Sequence, residues 1–187
     1  MFDETPSLTM FNAALPLLLR FEGGLSDAPS DRGGLTNYGI TQATFDAWNV
    51  GRDRPRVSVR TITDAEVREI YRELYWVPSG AHRFVGETFT LSFTLFDGAV
   101  NFGVPQGTRF LQRAINNYTR GGEKLSEDGI FGQKTEAAAR SLKPRALVEE
   151  IVRLRIEYRM EIVKRNPSQA KFLSGWLSRD SALSTTI

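Results

Sequence analysis

Residues 90–102 read Thr-Leu-Ser-Phe-Thr-Leu-Phe-Asp-Gly-Ala-Val-Asn-Phe. Wound as a helix, Leu91, Phe93, Leu95, Phe96, Ala99, Val100 and Phe102 point to almost every side of it. A helix apolar all round is stable only when it is covered all round. The rest of the chain must therefore supply elements to wrap it. Gly103 is placed to end this helix in a left-handed conformation, and Pro105 to begin the next one. Asp97 and Asn101 lie four apart and so share one face. A buried polar group without a partner costs about 1–3 kcal/mol, so the pair either braces the interior through hydrogen bonds or meets a ligand. Bracing is the stronger reading.

The wrapping elements are mostly helical. Phe11, Leu15, Leu18 and Leu19 form one apolar stripe, interrupted by Pro16. An interior proline costs about 3 kcal/mol, which implies a late helix start or a kink. Thr41 can cap a helix through Phe45 and Trp48, and the arginine-rich residues 51–60 with Pro55 read as a loop. Thr63-Asp64-Ala65-Glu66 is a capping box, followed by Val67, Ile70, Tyr71, Leu74 and Tyr75 on one face. Beyond Pro105, Phe110, Leu111, Ala114, Ile115 and Tyr118 continue the pattern until Gly121-Gly122. Asp128-Gly129 is a tight turn feeding a helix. After Pro144 a long helix turns Leu147, Ile151, Leu154, Tyr158 and Ile162 inward, with Arg153, Arg155, Arg159 and Lys164 expected outside. Phe172, Leu173, Trp176 and Leu177 suggest a short helix docking back, with fraying beyond Asp180. The fold class is mainly α, an α+β helical bundle with a small hairpin region near residues 25–40.

With 187 residues the chain can build one full core or two small lobes. No cysteine is present, and the single histidine, His82, makes a multi-histidine metal site or a Ser-His-Asp triad improbable. His82 reads as an exposed bystander in a loop. Residues 1–100 carry 9 Lys/Arg against 13 Asp/Glu, whereas residues 101–187 carry 15 against 9. A basic half of this kind is first a solvated helical surface, and second an attractor for an anionic envelope. Nucleic acid is not indicated, because acids are interspersed and no nucleic-acid motif is present. The apolar run 15–19 follows acids rather than a basic segment, so no secretory signal is expected, and no stretch is long enough to span a membrane.

Chemistry concentrates at Arg20-Phe21-Glu22-Gly23-Gly24 and the turn-rich segment after it, with Asp27, Pro29, Asp31, Gly33-Gly34, Thr36 and Tyr38-Gly39-Ile40-Thr41. Glu22 falls at a helix end, and Asp31 and Thr36 follow across a bend. Two carboxyls flanking a bend suit glycoside hydrolysis, in which one donates a proton and the other manages a water or the developing positive charge. Shelter by Phe21 and the apolar run would keep Glu22 protonated, while a solvated Asp31 would stay ionised. Asp31 reads about equally as a turn residue capping Gly33-Gly34. Tyr38, Trp76, Asp97 and Asn101 are the candidate substrate contacts, with Tyr71 held as core. No metal or other cofactor is expected.

Phe-Glu-Gly-Gly, Asp-x-Gly-Gly-x-Thr-x-x-Gly-Ile-Thr, Ile70-Tyr71-x-x-x-Tyr75-Trp76 and Phe96-Asp97-x-Ala99-Val100-Asn101-x-Gly103 together resemble glycoside hydrolase family 108. Leu111-Gln112-Arg113-Ala114 followed by Asp128-Gly129-x-x-Gly132-x-x-Thr135 is similar to the signature of helical peptidoglycan-binding modules. One departure is visible: Asp27-Ala28-Pro29 stands where the family has adjacent Asp-Pro, which favours Asp31 over Asp27 as the second acid. The resemblance implies a lysozyme-like catalytic lobe at residues 1–104 and a peptidoglycan-binding-like helical lobe at 105–187, packed as one body. It implies an N-acetylmuramidase of phage-endolysin type, with Glu22 as acid, Asp31 as second carboxyl and Thr36 holding the water. Lytic transglycosylase chemistry and a non-catalytic wall-binding or virion role are the alternatives. The expected partner is the peptidoglycan glycan strand, met by a monomer without membrane insertion. The expected location is the periplasm or cell wall, reached from the cytoplasm through a holin or a secretion system.

Overall fold

The computed structural model describes residues 5–22, 24–26, 34–86 and 88–185. Among these residues there are eight α-helices and one two-stranded hairpin, the mainly helical fold class expected from the sequence. The chain divides into two compact units, Phe11–Leu74 and Met1–Met10 with Tyr75–Ile187. Packing therefore does not break near residue 104, because the helices before and after that point belong to one unit.

In the unit Phe11–Leu74, α1 (Thr5–Glu22) buries Phe11, Ala14, Leu15 and Leu18. Pro16 lies inside this helix, so the helix does not start late. Its ring is exposed, where water can satisfy the Asn12 carbonyl that loses its helical donor. Strands β1 (Thr36–Asn37) and β2 (Ile40–Thr41) pair antiparallel, and Ser26 bridges to Thr36 on the other side. In α2 (Gln42–Val50) the cap is Thr41, whose Oγ1 accepts from Thr44 N at 3.2 Å. Gln42 then staples the loop that follows α2, donating to Val57 O at 2.8 Å and accepting from Val59 N at 2.8 Å. The capping box forms at α3 (Asp64–Tyr71), Thr63 N donating to Glu66 Oε2 at 2.9 Å and Glu66 N donating to Thr63 Oγ1 at 3.3 Å. A π-helical turn, Arg72–Trp76, continues it.

The other unit is organised around α4 (Phe89–Phe102), in which residues 90–99 are all buried. It packs on α5 (Val104–Tyr118), α7 (Pro144–Arg165), α8 (Ala170–Thr185) and a 3-10 turn at Ala81–Phe84. α6 (Gln133–Arg140) packs on α5 and α7. Close approach of α4 and α5 depends on Gly107, because a Cβ there would stand 2.9 Å from the Gly98 carbonyl carbon. Gly103 has the expected positive φ of 80°, but with ψ 150° it is extended rather than left-handed helical. The chain thus turns directly into α5 with a proline in its first turn.

Several expectations are corrected here. Arg155 and Arg159 are buried, not outside, at 0% and 3% exposure. The Arg155 Nη2 atom lies 2.6 Å from Asp97 Oδ2 and 2.7 Å from Asp180 Oδ1, and Arg159 Nε lies 2.5 Å from Asp180 Oδ2. Arg179 closes the cluster, its Nε donating to Asp97 Oδ1 at 2.8 Å. Burial pulls the Arg159 guanidinium below its ordinary value, opposed by its bond to Asp180. Asp97, fully buried, is thus a core ion-pair partner and not a substrate contact. Half-buried Asn101 adds a neutral hydrogen bond to the cluster, its amide oxygen accepting from Arg179 Nε at 2.6 Å when turned toward it. Trp76 is also removed from the substrate contacts, being fully buried, edge-on to Phe96 and bonded through Nε1 to Ser7 Oγ at 3.3 Å. The C-terminal helix continues past Asp180 and buries Leu183. His82 is half-buried in the 3-10 turn rather than exposed in a loop.

Replacing Asp97 with Leu leaves Arg155 and Arg179 without their shared counter-charge inside the fold. Breaking a buried pair from one side costs about 3–5 kcal/mol, so the urea midpoint of D97L should fall by the corresponding amount. A midpoint within error of the parent protein would show that the cluster contributes nothing to stability.

Candidate active site

Glu22 is the last residue of α1 and is half-buried, with its Oε1 shielded from solvent. Phe21 does not supply the expected shelter, for it is 45% exposed. The shelter comes from the hairpin instead. Tyr38 and Gly39 form its two-residue turn with φ of 51° and 74°, the positive pair that marks a type I′ connection. The backbone of Gly39 lies against the acid: a Cβ built there would meet Glu22 Cβ and Glu22 Oε2 at 3.0 Å and Tyr71 Oη at 2.7 Å. Only glycine fits, on both conformational and steric grounds.

A tyrosine at positive φ costs about 1–2 kcal/mol and persists when its surroundings impose it. Tyr71 imposes it here. Its hydroxyl, on the last residue of α3, donates to the Tyr38 carbonyl at 2.7 Å. The buried ring of Tyr71 therefore carries a polar tip that fixes the turn on which Glu22 rests. The helical spacing that marks Tyr71 as core is correct, yet it does not reveal this second task. The Tyr38-Gly39 pair was the available signal, since two residues needing positive φ beside a candidate acid call for a clamp.

Thr36, in β1, exchanges backbone hydrogen bonds with Ser26 at 2.8 and 3.0 Å, and its Oγ1 donates to Gly34 O at 3.1 Å. Its hydroxyl proton is thus spent on the turn, leaving lone pairs as what the oxygen can offer a water. Tyr38 is half-buried in the hairpin turn. Asp31, like Asp27, lies outside the described residues. Glu22, Thr36 and Tyr38 share the unit Phe11–Leu74, whereas Trp76, Asp97 and Asn101 belong to the other.

A second polar cluster stiffens this unit. Trp48 Nε1 donates to Glu73 Oε2 at 3.1 Å, Arg52 pairs with the same carboxylate, and the Arg52 guanidinium lies 4.1 Å over the Trp48 ring. Burial raises the Glu73 carboxyl, but the bonds from Arg52 and Trp48 outweigh it and hold the group below its ordinary value. Among the described residues, no cluster of His, Asp and Glu is arranged to hold a metal ion, and no helix is long and apolar enough to cross a membrane.

A small hairpin that seats an acid at a helix end, within a mainly helical fold, is a lysozyme-like arrangement. Residues 15–103 match the family Glycosyl hydrolase 108, and residues 106–181 match the family described as Predicted Peptidoglycan domain. The chain thus carries a glycosyl hydrolase 108 domain followed by a predicted peptidoglycan domain. The pair supports a glycoside hydrolase that acts on peptidoglycan. Among solved structures, the chain is similar to Brucella abortus SagA, with 29% identity over 95% of this chain and 93% of that one and a TM-score of 0.76. No curated protein matches it.

Gly39→Ala should cost about 1–2 kcal/mol from the positive φ alone, and should displace Glu22 or Tyr71 as well. Tyr71→Phe keeps the ring and removes one hydrogen bond, worth about 0.5–1.5 kcal/mol. Urea unfolding and wall-lysis rates on both variants check this. Lysis should fall further than stability in each, and a variant that loses stability without losing rate would separate the turn from the acid.

Proposed function

We propose that the protein is an N-acetylmuramidase, hydrolysing the β-1,4 bond between N-acetylmuramic acid and N-acetylglucosamine in bacterial cell walls. The observation that supports this best is Glu22 itself, a helix-end acid with one oxygen shielded from solvent and its other face against the Tyr38-Gly39 turn. In this reading a protonated Glu22 donates to the glycosidic oxygen as the bond breaks. Positive charge then develops at the anomeric carbon and a water completes the hydrolysis. Asp31 is assigned the second carboxyl, orienting or deprotonating that water or stabilising the charge. The Thr36 oxygen is assigned to hold the water, and Tyr38 to contact the sugar. The proposed place of action is the cell wall.

Glu22→Gln keeps size and hydrogen-bonding capacity while removing the proton. General acid catalysis contributes about 10²–10⁴-fold, so turbidity loss of outer-membrane-permeabilised cells should slow by at least that lower bound with an unchanged thermal midpoint. Mass spectrometry of the released muropeptides should show a reducing-end muramic acid. Anhydro ends would replace hydrolysis with transglycosylation, and undiminished lysis by E22Q would remove Glu22 from the chemistry.

A further inference from the structure

Residues 119–132, between α5 and α6, have no regular secondary structure. Irregular loops of that length are uncommon inside a packed domain unless they carry function. This one is held in place by a row of side chains on α5. Asn116 forms a two-way bond with Leu125, donating to its carbonyl at 3.0 Å and accepting from its N–H at 2.8 Å. Gln112, one turn earlier and buried, accepts from Gly129 N at 2.9 Å and donates to Asp128 Oδ1 at 2.8 Å and Ile130 O at 3.2 Å. Arg109 donates to the Glu127 and Asp128 carbonyls at 3.3 and 3.2 Å, and Arg113 pairs with the Glu127 carboxylate at 2.8 Å. A loop fixed this thoroughly has little ordering entropy left to lose when something binds to it.

The fixed loop forms one wall of an open groove of about 1010 Å³ whose other wall is the start of α6. Its lining has a particular chemistry. Leu125, Ile130 and Ala138 offer aliphatic surface, and Ile130 is 69% exposed. Lys124 and Lys134 place two ammonium groups at the groove, and Glu123 and Asp128 place two carboxyls. Gln112 and the Ile130 N–H hold the Asp128 carboxyl below its ordinary value, so that it remains anionic. No aromatic side chain lines the groove, so a pyranose ring has no flat face to stack on.

We propose that this groove docks the peptide stem of peptidoglycan rather than its glycan strand. The stem is short, bears small methyl side chains, and carries free carboxylates together with an ammonium group, which is the complement of aliphatic walls with both signs of charge. The inference rests on the reading of the protein as a peptidoglycan hydrolase, and it assigns the second family segment its own ligand. Binding the stem would hold the enzyme on cross-linked wall while the acid site works on the sugar.

The test uses the full chain, isotope-labelled, titrated separately with a sugar-free stem tetrapeptide (L-Ala, γ-D-Glu, diaminopimelate, D-Ala) and with chitotetraose. The tetrapeptide should shift the amide signals of Leu125, Ile130 and Lys134 in a saturable way, and chitotetraose should leave them in place. Ile130→Glu and Lys134→Glu change exposed side chains and should fold normally. Each should weaken tetrapeptide binding at least tenfold and slow the solubilisation of intact sacculi, while cleavage of peptide-stripped glycan strands stays at the parent rate. Groove signals that move with chitotetraose alone, or with neither probe, would overturn the proposal, as would equal slowing on stripped strands. A failure of the muramidase reading is separate, because E22Q would then keep its lytic activity whatever the groove binds.

Discussion

A helix with no polar side can be buried only if the one acid it carries finds compensation, and Asp97 on α4 sets that condition. It is met by two arginines, Arg155 of α7 and Arg179 of α8; Arg155 also reaches Asp180, which Arg159 neutralises further, and Arg179 also donates to Asn101. Desolvating several charges at once is expensive, and a well-packed apolar substitute often does as well or better. What such a cluster supplies is geometry. A guanidinium bridging two carboxylates admits few registers, so α8 can close on α7 in one way only. The largely apolar surface of α4 would tolerate many slides of its neighbours, and the ion pairs reduce that freedom.

This also explains which parts of the fold could be read from the sequence. Helix periodicity, the Thr63 capping box, the proline at the start of α5 and the turn at Asp128-Gly129 are local, and each is found where its residues implied. Arg155 and Arg159 depart from the surface position their charge implies, since charge is ordinarily a marker of the surface. Their burial is decided by Asp97 and Asp180, far away in sequence, and no local pattern contains that information. Trp76 departs from its local pattern for a related reason. A tryptophan at a helix end satisfies both the sugar-stacking and the core description, and only the positions of Phe96 and Ser7 distinguish them.

At the candidate active site the balance is different. The helix-end position of Glu22 is legible from its place between an apolar run and a run of turn residues, whereas the clamp on the turn beside it, the bond from Tyr71 to the Tyr38 carbonyl, is not. A strained tyrosine is a cost that folding alone gives no reason to accept, since asparagine or glycine would suit the same turn at less expense. Retaining a tyrosine there is consistent with a task for its ring, and the contact with sugar assigned to Tyr38 would be such a task.

On the proposed reading, the site around Glu22 and the groove beside Gln112 would meet the wall polymer with different chemistry. Around Glu22 the structure offers a sheltered acid and an aromatic turn, which suit a glycosidic bond and a pyranose. Around Gln112 it offers a rigid, charged, aliphatic groove without any aromatic ring, which suits a short peptide. Peptidoglycan is a polymer in which those two chemistries alternate at every disaccharide, so two such sites, if both bind, would be tied by the polymer itself. Holding a second part of the same chain raises the effective concentration of the first, and this gain costs the catalytic site nothing in turnover so long as the peptide contact stays weak. Exposed aliphatics and solvated lysines give a weak contact of that kind, whereas a deep aromatic pocket would not.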